Sequence, residues 1–415
     1  MRGGRVRCEF ALSGNLSRYL RGGPLEVNYD LSVEGVDRGI LYIPFVAELL
    51  PVTWLAGGDI SVRELDAEYL RSVMLVQGMM KKWRPALPFS TRIIAGEAKT
   101  NVFASDGRCG LLYSCGLDST TSFLMNRERL SALMMLGGTE DMPLRDKEYW
   151  ERIKRLASSF AKVNGVNLHT VETNWLNQVS ASHLTQDFAA SLAAPGRKDD
   201  VGYWEEVFRL TLLGMCAPVT VRERLGTLLM ASTFPMETLA TLDRVGPVEE
   251  SLAWGDLAIA RDTKNLSRQQ KIRNVLVPYR KGNEGQIPLR VCHPIHFDKY
   301  RQLRQRGVLN CGECQKCCRT ILGLVLDGVD PQTCGFERGT FSAERLRQQL
   351  LDRSVRFTGS AFEFWNDIKQ HVHDRPAQAA ELNLWNCNGF FDWLVTYDLS
   401  RNIASTAEPL KGGNQ

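Results

Sequence analysis

Ser114-Cys115-Gly116-Leu117-Asp118-Ser119 sets small side chains, hydroxyls and one carboxylate in the order that an anion cradle needs. A short apolar run, Leu111-Leu-Tyr113, precedes them, and Thr120 and Thr121 follow. With a strand ending at Tyr113 and a helix opening near Asp118, the free N–H groups of the first helical turn point out of the helix end. The helix macrodipole favours negative charge at that end. Hydroxyls at Ser114, Ser119 and Thr120 can add hydrogen bonds to phosphate oxygens. Asp118 would repel phosphate unless a divalent cation lay between them, which suggests Mg2+. A helix cap at Ser114 or Asp118 explains the same residues without any ligand, and the motif alone does not separate the two. The thiol of Cys115 reads first as a packing group and only second as a nucleophile.

The second chemical cluster is sulfur. Eleven cysteines occur in 415 residues, four of them between Cys311 and Cys318. Cys311, Cys314 and Cys317 make two consecutive C-x-x-C steps, and Cys292 precedes Cys311 with eighteen residues between them. Four thiolates so spaced can close a tetrahedral Zn2+ site, with Gly312 easing the turn that brings Cys314 round. Cys318, His293 and His296 are competitors for the fourth position and rank below Cys292. An iron–sulfur cluster on three of these cysteines is the rival metal reading. No export signal follows the basic first residues, so metal is favoured over disulfides.

The elements that must position these groups come from patterning. From about residue 100 the rhythm is strand, helix, strand, helix. Leu111–Tyr113, Ala132–Leu136, Val166–Val171 and Thr227–Ala231 read as strands. Asp118–Asn126, Tyr149–Val163 and Trp204–Met215 read as helices. Such alternation predicts an α/β fold, a parallel sheet with helices on both faces, in which ligands bind at the carboxyl ends of the strands. Residues 1–100 read as a small α+β module, with β-like runs at Val6–Leu12, Leu25–Tyr29 and Gly39–Ile43 and a helix over Val62–Met80. Residues 101–335 read as the α/β domain that carries the Ser114–Ser119 loop, with the zinc segment at 292–318. Residues 336–415 read as a helical appendage in which Phe364, Ile368 and Val372 recur beside Phe362 and Trp365, aromatics assigned to core.

Loop and cysteines together carry a resemblance. Leu112 to Thr120 resembles the Ser-Gly-Gly-x-Asp-Ser pyrophosphate loop of the ATP pyrophosphatase superfamily, departing at Cys115, where the family usually has glycine. With Cys292, Cys311-Gly312-Glu-Cys314-Gln-Lys-Cys317 and Arg319, the chain resembles the 7-cyano-7-deazaguanine synthase (QueC-like) family. Leu266–Ile272 is similar to a helix start that precedes that family's zinc segment. The likeness covers residues 105–330, with specific motifs at its two ends. The extra terminal regions are like those of enlarged QueC-like proteins associated with antiviral defence. The resemblance implies a pyrophosphate-loop, adenine-nucleotide α-hydrolase-like fold, with residues 101–335 as its ATP-binding domain. It also implies an ATP-dependent ligase or synthase that adenylates a deazaguanine-type carboxylate and releases AMP and pyrophosphate. An amide, a nitrile or a protein conjugate would result, so ammonia or a protein amine is the acceptor. ATP, Mg2+ and Zn2+ are the implied cofactors. Ser114, Cys115, Gly116, Leu117, Asp118, Ser119 and Thr120 would hold the nucleotide. Arg268, Lys271 and Arg319 would supply countercharge beside Asp118 and Ser119.

Weaker candidates are Thr139-Glu140-Asp141 and Ser232-Thr233 beyond two strand ends. Trp254-Gly255-Asp256 is read as a long loop able to cover a purine-like ring. Composition is that of a globular chain, 44% hydrophobic and 24% charged, and a net charge of +4 is too mild to announce nucleic-acid binding. The basic stretch Lys299–Arg306 reads first as a solvated helix face. No uninterrupted apolar run reaches about eighteen residues, so no transmembrane helix is expected. A cytoplasmic location is the expectation. A non-enzymatic zinc-stapled scaffold and an iron–sulfur tRNA sulfur-transfer enzyme are the competing readings.

Overall fold

The computed structural model of the chain describes residues 3–192, 203–242, 246–282, 286–292, 308–374 and 384–404. His293, His296 and the Lys299–Arg306 stretch lie outside the described residues. Ten strands are present among them: β1 (Arg5–Cys8), β2 (Leu25–Tyr29), β3 (Ile60–Asp66), β4 (Ile93–Lys99), β5 (Cys109–Leu112), β6 (Leu130–Gly137), β7 (Asn167–Thr173), β8 (Thr227–Ala231), β9 (Ala253–Trp254) and β10 (Leu257–Asp262). Eight of them form one mixed sheet in the order β1-β2-β7-β6-β5-β8-β10-β9, while β3 and β4 pair separately. The central five, β7 to β10 across the sheet, are parallel. From β5 the chain winds outward through β6 and β7 on one side, then through β8 and β10 on the other. The direction of winding therefore reverses between β5 and β8.

Both faces of the sheet are covered, as the alternation along β6 makes visible. Leu133 and Met135 belong to one core and Met134 and Leu136 to the other. A strand buried on both faces reads as a continuous apolar run, as this one does. On the first face lie the helix Lys147–Val163, the cysteine segment and the C-terminal helices. On the second, the helix Ile43–Ala56 packs against the helix Tyr203–Met215. The expected α/β architecture with helices on both faces is present.

Several local expectations differ. The N-terminal region is not set apart from the main sheet, because β1 and β2 extend it antiparallel from β7. Gly39–Ile43 is helical rather than extended. The Asp37 carboxylate caps that turn by accepting from the Gly39 N–H, and Pro44 occupies the first turn of the helix that follows. Val62 to Asp66 lies in β3, and the helix begins only at Ala67, where Asp66 accepts the Tyr69 N–H. Residues 38–56 have the length and apolarity of a membrane span, against expectation, but most of that stretch is buried in the second core. β9 and β10 make a hairpin where a long loop was expected. Trp254 is fully buried there, with its indole N–H donating to Thr220 Oγ1 at 2.9 Å, so it is core and covers no ligand.

Candidate functional site

β5 stops at Leu112, and the chain turns through Ser114, Cys115 and Gly116 into the helix Leu117–Asn126. The loop therefore leaves the carboxyl end of the strand at which the sheet reverses, the place where open α/β sheets hold ligands. Its shape depends on Cys115, which adopts φ +59° and hence the left-handed backbone that glycine ordinarily supplies. The Cys115 side chain is fully buried in the core beside Tyr113, so it leaves the loop mouth clear. Burial pushes its thiol up to about 12, against the opposing pull of Arg290, and a protonated buried thiol is no nucleophile. The Cys115 carbonyl accepts the Arg290 backbone N–H at 2.7 Å, which holds the turn.

Inside the loop the hydroxyls are mutually engaged. Ser119 Oγ donates to the Gly116 carbonyl (3.2 Å) and accepts the Ser114 N–H (3.3 Å), while the Gly116 N–H donates to Ser114 Oγ (3.3 Å). The first-turn N–H groups of Leu117 and Asp118 lack an intrahelical partner by geometry, and no acceptor meets them among the described residues.

Opposite the loop stands a helix opened by Ser267, whose side chain and that of Gln270 form a reciprocal capping box. It runs Arg268–Lys271 and continues through a π-helical turn, Ile272–Leu276. Lys271 is fully buried, and its ammonium donates to Asp118 Oδ1 at 2.8 Å and to the Ser232 carbonyl. Arg268 donates to Asp118 Oδ2 at 3.1 Å and to Thr320 Oγ1 at 3.3 Å. Burial pushes the Asp118 carboxyl upward, but Lys271 and Arg268 together outweigh it and hold the group below its ordinary range. Arg319 lies beside them. Burial first, then the charge of Arg268, lowers its guanidinium to about 9, and its Nη1 is buried with no hydrogen-bond partner. Three cations thus face one carboxylate, and the excess of positive charge is buried.

The structure brings Asp118, Ser119, Arg268, Lys271 and Arg319 into one constellation at the loop. Both oxygens of Asp118 are held by cations, so a magnesium ion at this carboxylate would have to displace one of them. Among the weaker candidates, Ser232 contributes its carbonyl to Lys271. Thr139 Oγ1 accepts the Met142 N–H in a local turn, and the Asp141 carbonyl accepts from Arg290 at 2.6 Å. Asp256 accepts the N–H groups of Phe103 and Ser105, away from the loop.

Four cysteines form the second part of the site. The sulfurs of Cys292, Cys311, Cys314 and Cys317 all lie within 4.8 Å of one another, and two of the separations are 3.8 and 3.9 Å. A tetrahedron of sulfurs about 2.3 Å from zinc has edges of about 3.8 Å, so the donor set fits a metal such as zinc. Cys311 Sγ accepts the N–H groups of Glu313 (3.4 Å) and Cys314 (3.1 Å), and Cys314 Sγ accepts that of Cys317 at 3.5 Å. Such bonds offset thiolate charge. Gly312 has φ +72°, and a Cβ there would come within 2.1 Å of Thr340 Oγ1, so glycine is required. Cys318 faces the carbonyls of Gly312 and Glu313 and stays outside the cluster.

Four residues of this region were not foreseen. Arg290, two positions before Cys292, is buried and donates to the Tyr149 hydroxyl at 2.8 Å. Asn310 bridges the two cysteine segments, accepting the Val291 N–H and donating to the Leu289 and Gly335 carbonyls. Phe364 and Asp367 reach the site from the helix Gly359–His371, and Asp367 accepts the Gln269 N–H at 2.8 Å. The core assignment of the aromatic stretch holds for Trp365, Ile368 and Val372, whereas Phe364 stacks on Phe234 with ring centroids 4.4 Å apart, beside the cations. The sequence signal at Phe364 was its aromatic type alone; Arg290 gave none beyond its nearness to Cys292. Compared with protein-family models, curated proteins and solved structures, the chain matches none of them.

Proposed function

We propose that this chain is an ATP-dependent, QueC-like adenylating enzyme that activates a deazaguanine-type carboxylate. What carries the reading is a pyrophosphate-type loop at the sheet's reversal point, faced by a buried excess of positive charge. A carboxylate oxygen of the acid attacks the α-phosphorus of ATP, the bond to the bridging oxygen breaks, and pyrophosphate departs. An amine then adds to the acyl carbon, and AMP leaves with the electron pair. An amide is the first product; a nitrile needs a second activation of that amide, and a protein amine gives a conjugate, the outcome suited to an enlarged enzyme of antiviral defence.

The protein's part is positioning and neutralisation of charge developing on phosphate oxygens. The Leu117 and Asp118 N–H groups and the Ser114 and Ser119 hydroxyls would receive the pyrophosphate, whereas Thr120 is fully buried and does not reach a ligand. Lys271, Arg268 and Arg319 would face the α-phosphate and the acid. Asp118 holds Lys271 and Arg268 in place until the anion arrives, and Mg2+ would enter with the nucleotide. Zn2+ on the four cysteines would be structural, since all four protein ligands converge and none of its positions is left open. Cys115 does not spoil the loop in this reading, because its backbone takes the glycine conformation and its thiol is buried.

The test is incubation of the full chain with ATP, Mg2+ and 7-carboxy-7-deazaguanine, with AMP and pyrophosphate quantified. Carboxylate-dependent AMP formation is expected, and it should vanish in Asp118→Ala. Release of ADP instead, or no AMP at all, would sink the assignment. Metal analysis discriminates further, since iron with acid-labile sulfide in place of zinc would favour sulfur transfer.

A further inference from the structure

The C-terminal helix Gly359–His371 is more than a cover for the core. It places two side chains, three residues apart, against the cationic wall of the site. Asp367 adds to the Ser267 cap at the N-terminal end of the Arg268–Lys271 helix by accepting the Gln269 N–H at 2.8 Å. Phe364 presents its ring to both guanidiniums, with the Arg319 carbon 4.3 Å and the Arg268 carbon 5.7 Å from the ring centroid. Phe234, which follows β8, stacks on that same ring at an interplanar angle of 18°.

The two arginines have a difficulty that these contacts answer. Arg319 is buried beside the charge of Arg268, which disfavours its own charged form, and Arg319 makes no ion pair among the described residues. Its Nε donates to the Gln315 carbonyl at 3.3 Å, while Nη1 is buried and unpartnered. An aromatic face attracts a guanidinium through its quadrupole, and more strongly where water is excluded. A ring shared by both arginines therefore offsets part of their repulsion and fixes the plane in which their remaining N–H groups point.

We propose that Phe364 is a positioning residue of the anion site: it holds Arg268 and Arg319 side by side, so that the C-terminal helix completes the site for the phosphate and carboxylate of the reactants. This rests on the reading of the loop as a nucleotide site. It assigns the C-terminal region a place in ligand binding, and a chain truncated before Gly359 would lack that wall.

Binding separates this from simple packing. Titration calorimetry of the full chain with inorganic pyrophosphate, and separately with ATP and Mg2+, is run on wild type, Phe364→Leu and Phe364→Tyr. Phe364→Leu, of similar volume and without a quadrupole, should weaken binding about tenfold, while Phe364→Tyr should bind within about twofold of wild type. A half-buried site makes both variants foldable, and Phe364→Met replaces the leucine variant should its melting curve show otherwise. Equal affinity of the leucine and wild-type proteins overturns the proposal, as does a tyrosine variant as weak as leucine. If wild type binds neither pyrophosphate nor ATP, the nucleotide site itself is wrong and the proposal falls with it. A wild type that binds beside an unaltered leucine variant removes the proposal alone.

Discussion

Cys115 shows how a departure from a motif can preserve its geometry. A left-handed non-glycine residue costs about 1 to 2 kcal/mol, and this one recovers part of that by burying its sulfur in the core. Cys115→Gly removes both terms, so stability should change by less than about 1 kcal/mol and any ATP-dependent activity should persist. Cys115→Val places a branched side chain at the same φ and should lower both the melting temperature and nucleotide binding. Equal behaviour of the two variants would mean that the loop's conformation is unimportant to the site. Asp118 carries a different weight. Replacing it by Asn leaves the buried Lys271 ammonium with a carbonyl and no counter-ion. The expected cost is about 3 kcal/mol of stability together with loss of AMP formation, read by denaturant unfolding and by product analysis. An Asp118→Asn protein as stable as wild type would show that Lys271 finds another partner.

Elements were legible where one local demand dictates the residues. The four cysteines could be grouped from spacing because tetrahedral ligation restricts it, and the strand β8 was read to the residue because both its faces are apolar. Gly39–Ile43 was misread because β-branched and aromatic residues favour strands only when no cap intervenes, and Asp37 with Pro44 supplies a helix start. Arg290 and Phe364 were out of reach, since each acts through partners distant along the chain, Tyr149 for Arg290 and both Arg268 and Arg319 for Phe364. β7 supplies a further case, with a consequence for pH. His169 sits between Asp30 (3.2 Å) and Glu223 (3.1 Å), joining the end of β2 to the turn before β8. Burial lowers its pKa, but the bond and charge of Asp30, with those of Glu223, raise it overall above the ordinary 6.5. A raised folded-state pKa means stabilisation that is full below the unfolded value and lost as pH rises through the folded one. His169→Gln should therefore lower the melting temperature more at about pH 6 than at about pH 9. A penalty independent of pH would assign His169 a packing role only.

Viewed as a whole, the two ends of the chain are the outer layers of one sandwich. The N-terminal helix Ile43–Ala56 covers one face of the sheet, and the C-terminal helices cover the other. The four-cysteine site lies in that second layer and reaches the Ser114–Ser119 loop and its facing cations by two short routes, each a few residues of chain that end in a hydrogen bond. Cys292 is two residues from Arg290, whose backbone N–H fixes the Cys115 carbonyl and whose guanidinium clamps Tyr149 and the Asp141 carbonyl. Cys314 caps the helix Gln315–Leu326, which carries Arg319 and the Thr320 hydroxyl bonded to Arg268. Structural zinc contributes on the order of 10 kcal/mol to the folding of small zinc peptides, so if the four cysteines hold such a metal, its removal from a segment with this much irregular backbone should release both routes. The expected result of chelation at native pH is a lower melting temperature together with weaker pyrophosphate binding, both restored by adding Zn2+ back. Cys311→Ser should reproduce the chelated state without chelator. A metal-depleted protein that melts at a lower temperature yet binds pyrophosphate unchanged would show that the cysteine site steadies its own layer and leaves the loop alone. Joint loss and joint recovery would make the metal centre the brace that holds Arg319 and the Cys115 turn on opposite sides of one anion site.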